Sequence, residues 1–242
     1  MAETAVYLVA GDSLTEGTYG ESYVARLATA LEGEVVNAGR GADTLQALLD
    51  RIGEPLRQHR PDWVILAIGI NDIWLPWLAS HSLGWQLWLL HRRFRFGQVP
   101  TTDLDRFAAL YRALLEKVVD QTPARVLVCT TSCCGERLST PPNRQLARLN
   151  GLIKRVASDC EVPVADVWQA FVDELAPVGL PSAYVPGEWL FTAMDRRRLL
   201  TTTPDEVSER RRLYLTFDGL HLNSRGADLW ARTILAALKE NA

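Results

Sequence analysis

Ser13 stands in the stretch Gly11-Asp12-Ser13-Leu14-Thr15, directly after the apolar run of residues 5–10. A run of that kind, ending in glycine and followed by small polar residues, reads as a buried strand delivering a tight turn into a helix. The turn lifts the Ser13 hydroxyl off the end of a sheet. Beside a helix N-terminus it also offers backbone N–H groups to an anion, so one turn holds a nucleophile and part of an oxyanion hole. The plain alternative is a helix N-cap, which Asp, Ser and Thr all make well. Near the other end of the chain, Asp218-Gly219-Leu220-His221 sets a carboxylate and an imidazole three residues apart. One local turn then lets Asp218 orient His221. Neutral serine is a poor nucleophile and needs a base within reach, and His221 is the candidate.

The elements that must bring these groups together follow from periodicity. Strand-length apolar runs occur at residues 5–10, 34–37, 63–68, 125–130 and 162–166. Helical patterns occupy residues 19–31, 104–118, 144–158 and 224–239, and Leu45, Leu48, Leu49, Ile52 and Leu56 fall on one helical face, with Asp43 or Thr44 able to cap its start. Strands alternating with helices at this spacing imply right-handed βαβ units, an α/β fold and a doubly wound parallel sheet of about five strands. Glycine- or asparagine-bearing turns at Ser13, Gly39 and Asn71 follow three successive strands. In a parallel sheet all strand C-termini share one edge, so these turns converge there.

With 242 residues and 48% hydrophobic content the chain fills one ample core, and a single domain over residues 1–242 is expected. A net charge of −3 gives no field for nucleic acid. No apolar run reaches about 18 residues and no signal segment is apparent, which leads to the expectation of a cytoplasmic protein. Cys129, Cys133, Cys134 and Cys160 form no C-x-x-C pair, so neither a zinc site nor a disulfide scaffold is suggested. Cys133 and Cys134, near the expected rim of the site, leave an oxidisable thiol as a minor alternative. His59, His81 and His91 lack a partnering motif and read as surface residues.

Two stretches interrupt the alternation, at residues 73–99 and 177–213. The first carries Trp74, Trp77, Trp85 and Trp88, then His91-Arg92-Arg93-Phe94-Arg95. The second carries Trp189, Phe191, Arg196-Arg197-Arg198 and Arg210-Arg211-Arg212. Excursions of this length are usually lids, binding loops or interaction surfaces. The tryptophans either wall an acyl pocket, pack as a satellite core, or form an apolar patch for self-association or a membrane surface. The arginine triplets read as solvated faces, with a phosphate or carboxylate site as the sharper alternative.

The blocks Gly11-Asp12-Ser13-Leu14-Thr15, Asn37-Ala38-Gly39-Arg40-Gly41, Gly69-Ile70-Asn71-Asp72 and Asp218-Gly219-Leu220-His221 resemble, in type and order, the four blocks of the GDSL, or SGNH, hydrolase family. That resemblance implies a flavodoxin-like three-layer α/β/α fold, hydrolysis of esters or thioesters, and no metal or organic cofactor. Within it, Ser13 is the nucleophile, His221 the base and Asp218 its orienter, while the Ser13 and Gly39 amides and the Asn71 side chain form the oxyanion hole. Plain alternatives are a turn glycine at Gly39, a cap at Asn71 and an ordinary turn at Asp218-Gly219. The expected activity is a serine esterase acting through an acyl-enzyme, with a hydrophobic acyl or aromatic group near the tryptophans. Carbohydrate deacetylation and acyl transfer use the same site, and a lipid- or glycan-binding protein is the non-enzymatic alternative.

Overall fold

Five short strands become one parallel sheet whose central members are covered on both faces, while the edge strand Glu34–Gly39 stays partly exposed. In the computed structural model, which describes residues 4–179, 181–184, 194, 197 and 199–241, the strands are β1 (Val6–Gly11), β2 (Glu34–Gly39), β3 (Trp63–Ala67), β4 (Arg125–Cys129) and β5 (Val164–Ala165). Their order is β2-β1-β3-β4-β5, with every pairing parallel. The register sets Gly11 opposite Gly39 and Ala67, and Ala67 opposite Cys129. All C-terminal ends are therefore level at one edge, and the order reverses beside β1, where open α/β sheets bind ligands.

The helices are α1 (Ser13–Glu16), α2 (Tyr23–Ala30), α3 (Leu45–Arg51), α4 (Gly53–His59), α5 (Ile70–His81), α6 (Leu83–Phe96), α7 (Leu104–Gln121), α8 (Pro141–Asp159), α9 (Val167–Leu175), α10 (Pro204–Arg211) and α11 (Ser224–Glu240). Helix α11 packs on α2 and α9 on one face, while α7 packs on α3, α4 and α8 on the other. This is the expected three-layer α/β/α architecture. The apolar face from Leu45 to Leu56 is split between two helices rather than carried by one. Pro55 lacks the N–H that would bond Arg51 and its ring crowds that carbonyl, so the ladder breaks near Ile52.

The tryptophan-rich stretch forms a helical hairpin, α5 and α6, turning at the extended residue Ser82. Trp74 and Trp85 are buried in the main core, and Trp77 and Trp88 pack against it. Trp74 stacks on Trp77 at 4.9 Å, and Trp85 meets Trp88 edge-on at 5.4 Å. The apolar surface left to solvent on α6 is instead Leu83, Leu87, Leu90 and Phe94. In the second excursion, Trp189, Phe191, Arg196 and Arg198 lie outside the described residues. Helix α10 starts with a capping box between Thr203 and Glu206. Arg211 is more than a solvated charge: it lies 4.2 Å from the Tyr184 ring and donates to the Phe217 carbonyl. Among the described residues no helix is long and apolar enough to cross a membrane.

Candidate active site

Asp12 caps the short helix α1, its Oδ1 accepting from the Leu14 amide at 3.0 Å, which leaves Ser13 at the first helical position. The cap and the nucleophile candidate are thus neighbouring residues of one turn. Ser13 Oγ lies 3.0 Å from His221 Nε2, and His221 Nδ1 lies 2.8 Å from Asp218 Oδ2. The other carboxylate oxygen, Oδ1, accepts from the amides of Leu220 and His221 at 2.9 and 2.7 Å, so the local turn fixes both ends of the pair. Burial pushes the Asp218 carboxyl up, but the His221 charge and these hydrogen bonds outweigh it and hold it below the usual carboxylate range. With Asp218 ionised, the Nδ1 proton faces it and Nε2 is left to accept from Ser13. Tyr19 sets its ring edge-on to the imidazole, 4.5 Å away.

The loop carrying Asp218 and His221 is held by a residue that composition and spacing gave no reason to single out. Buried Glu136 accepts from the amides of Tyr214, Leu215 and Thr216 at 2.7, 2.7 and 2.9 Å, and from Thr216 Oγ1 at 2.9 Å. Next to it, the Gly135 amide donates to the Gly219 carbonyl at 2.5 Å. Asn143 staples this supporting loop, bonding the backbone of Cys134, Gly135 and Arg137. Cys133 and Cys134 lie inside the same support. Burial pushes both thiols up, so the oxidisable thiol at the rim is corrected to buried packing groups.

Asn71, at the start of α5, is buried, and its Nδ2 donates to the Asp43 carbonyl at 2.9 Å. One of its two N–H groups remains for another acceptor. Gly39 differs from expectation. Its amide donates to Asn37 Oδ1 at 2.9 Å, so in this arrangement it is engaged rather than free for an oxyanion. The sequence at Gly39 answers to a steric demand instead: a Cβ there would stand 2.1 Å from the Glu16 amide nitrogen. The following residues close over the sheet edge. The Arg40 amide donates to the Gly11 carbonyl at 3.0 Å and the Asp43 amide to the Arg40 carbonyl at 3.1 Å. Between these anchors, the amides of Gly41 and Ala42 have no acceptor among the described residues, and Ala42 holds φ at +63°.

A polar lattice fixes this turn. Arg51 pairs with Asp43 at 2.5 Å and donates to the carbonyls of Gly11 and Ala38. From the tryptophan hairpin and its exit, Arg92 donates to the Gly41 carbonyl at 2.7 Å, and fully buried Gln98 donates to Gly41 O and Asp43 Oδ1 at 2.9 and 2.8 Å. Asp72 accepts from the amides of Leu45 and Thr101 at 3.0 and 2.7 Å. Asp72 also lines a cleft of about 430 Å³ together with Ile73, Pro76, Trp77, Leu104, Gln145 and Arg148 among others. Among the described residues no cluster of histidines, cysteines and carboxylates has the makings of a metal site.

Residues 9–182 match the GDSL-like Lipase/Acylhydrolase family. An acetylxylan esterase from Geobacillus stearothermophilus is 24% identical over 191 residues, covering 69% of this chain and 78% of that protein. Among solved structures, an α/β hydrolase from the metagenome of Lake Arreo, Spain, aligns with a TM-score of 0.66 at 20% identity, over 99% of this chain and 97% of that one. The acetyl xylan esterase AlAXEase aligns with a TM-score of 0.65 at 22% identity, over 96% and 99%. At these identities the structural likeness speaks for the fold. Three solved forms of the Geobacillus stearothermophilus esterase are catalytic mutants in which a serine, an aspartate or a histidine is replaced by alanine.

Proposed function

This chain belongs to the GDSL-like lipase/acylhydrolase family and is a carboxylic ester hydrolase, and from that premise we propose that it removes acetyl groups from carbohydrate through an acyl-enzyme formed on Ser13. The observation that carries the mechanism is the unbroken run of hydrogen bonds from Ser13 Oγ through His221 to Asp218. His221 Nε2 takes the Ser13 proton as Oγ attacks the ester carbonyl, and Asp218 stabilises the imidazolium that results. His221 then gives the proton to the sugar oxygen as its bond to the acyl carbon breaks, so that the sugar leaves as the free hydroxyl. Water, activated by the same imidazole, releases acetate and restores Ser13.

The tetrahedral oxyanion is met by the Ser13 amide and the free N–H of Asn71. For the third donor we assign the Gly41–Ala42 amides in place of Gly39, since they lack an acceptor and lie between the anchors at Gly11 and Asp43. Support for an acetyl group on a sugar comes from two acetylxylan esterases among the relatives and from the tryptophans. Trp74 and Trp85 are taken up by the core, so they do not wall a long acyl channel.

A larger acyl or aromatic group is the second reading, favoured by the cleft that Trp77 and Asp72, the residue after Asn71, help to line. Initial rates over nitrophenyl esters of increasing chain length, alongside acetylated xylo-oligosaccharides, separate the two. The first reading expects acetyl to be the best acyl group and the oligosaccharide to be deacetylated. A maximum at a longer chain, with the oligosaccharide untouched, contradicts it.

A further inference from the structure

The basic run in the tryptophan hairpin and the arginine that follows Gly39 meet at one ring. The guanidinium carbon of Arg92 lies 4.2 Å from the Phe96 centroid, and those of Arg40 and Arg95 lie 5.4 Å from it. Arg92 also lies 5.5 Å from the Trp88 ring. Each contact gains cation–π attraction, but three like charges around one ring repel one another. Folded proteins ordinarily answer such a cluster with carboxylates. Here no carboxylate oxygen among the described residues comes within 4.0 Å of any of the three.

The polar partners of Arg92 are neutral, Gln98 Oε1 at 2.5 Å and Gly41 O at 2.7 Å. The buried carboxylate of Asp43 is engaged by Arg51 and Gln98. The Glu16 carboxylate lies 3.1 Å from where a Gly41 Cβ would stand and accepts from Thr18 at 3.1 Å, but makes no ion pair with the three arginines. Burial lowers the Arg92 pKa and the Arg40 charge lowers it further, partly opposed by Asp43 and Glu16, as expected of a cation short of counter-charge. The cluster also sits on the turn that serves the candidate active site: Arg40 hangs by its amide from Gly11, two residues before Ser13, and Arg92 grips Gly41.

We infer that Arg40, Arg92 and Arg95 around Phe96 form a subsite for a carboxylate on the saccharide that carries the ester, a uronic-acid residue next to the acetylated sugar. This rests on the reading of the protein as a carbohydrate deacetylase and narrows its substrate. Guanidinium forks match the planar carboxylate with two parallel hydrogen bonds. An anion held there supplies the missing counter-charge while the ester reaches Ser13.

The experiment uses the full chain and matched acetylated xylo-oligosaccharides: one neutral, one bearing a glucuronosyl branch, and one bearing a phosphate in its place. At low ionic strength the glucuronosyl substrate is expected to show kcat/KM about tenfold above the neutral one. That ratio should shrink with added salt and approach unity in Arg40→Gln, whose backbone bond to Gly11 is retained. Equal rates on the neutral and acidic substrates, or a ratio indifferent to Arg40→Gln, overturn the subsite. A preference for the phosphate over the carboxylate overturns the uronic acid assignment. Inhibition of nitrophenyl acetate hydrolysis by free glucuronate, compared with xylose, gives a separate readout. If no oligosaccharide is deacetylated, the deacetylase reading fails. Stronger inhibition by glucuronate, lost in Arg40→Gln, would still support the anion site, and equal inhibition would overturn it.

Discussion

Among single residues, the carboxyls around Ser13 differ most in what burial has done to them. Asp12 and Asp72 are raised to about 7, chiefly by burial, although each accepts backbone N–H bonds that oppose the rise. A carboxyl whose folded pKa lies above its unfolded value binds its proton more tightly in the fold. Its contribution to stability is fully present below about pH 4 and is lost as the pH climbs to about 7. Asp218 has the opposite sign, its contribution present above the unfolded value and lost as the pH falls. The Asp12→Asn variant keeps the Oδ1 that caps α1 and removes one titrating group. Its unfolding free energy, measured from pH 4 to 7, should fall less steeply than that of the parent; an unchanged slope contradicts the assignment. Asn71→Ala should lower kcat by about 10² to 10³ through loss of an oxyanion donor, read by steady-state kinetics on nitrophenyl acetate. A rate within a few-fold of the parent would remove Asn71 from that role.

At the scale of elements, the site depends on how closely turns approach one another. Strand β2 ends on Gly39 against α1, and a methyl group there would overlap the Glu16 backbone at 2.1 Å. Gly39→Ala should therefore cost about 2 kcal/mol or more of stability and lower kcat by about tenfold or more, since α1 carries Ser13. Denaturant midpoints and kinetics on the same preparation check both. An inert substitution would return Gly39 to the status of an ordinary turn residue. Glu136→Gln probes the other support. The amide keeps one oxygen to accept from Leu215 and Thr216, but its nitrogen cannot accept the N–H bond that the second carboxylate oxygen takes from Tyr214, so a loss of about 1–3 kcal/mol is expected in thermal or denaturant unfolding. These supports also mark what the sequence leaves hidden. Motif spacing and apolar period carry Ser13, Asn71, Asp218 and His221 to one sheet edge, because the turn that ends each strand is a local property and parallel strands share one C-terminal edge. Glu136 and Gln98 act on backbone groups 78 and 57 residues away, and Arg51 on the carbonyls of Gly11 and Ala38, 40 and 13 residues away; backbone donors and acceptors leave no pattern in side-chain types.

For the whole molecule, the central fact is that a parallel sheet brings both chain ends to one rim. Residues 13 and 221 are separated by 208 positions, yet Ser13 Oγ and His221 Nε2 meet at 3.0 Å. The layers were legible because continuous apolar strands between amphipathic helices admit few arrangements. The tryptophan hairpin was less so, since its residues suit a pocket wall or a core equally well until packing decides. Packing places Trp74 and Trp85 inside and leaves Leu87 and Phe94 exposed. The catalytic proposal is tested most directly by quenching the enzyme during turnover of nitrophenyl acetate and locating the acetyl group by peptide mass mapping. The account predicts acetylation on the peptide that carries Ser13, absent in Ser13→Ala together with nearly all turnover. Turnover at the parent rate in Ser13→Ala, or an acetyl group trapped on another residue, would contradict it.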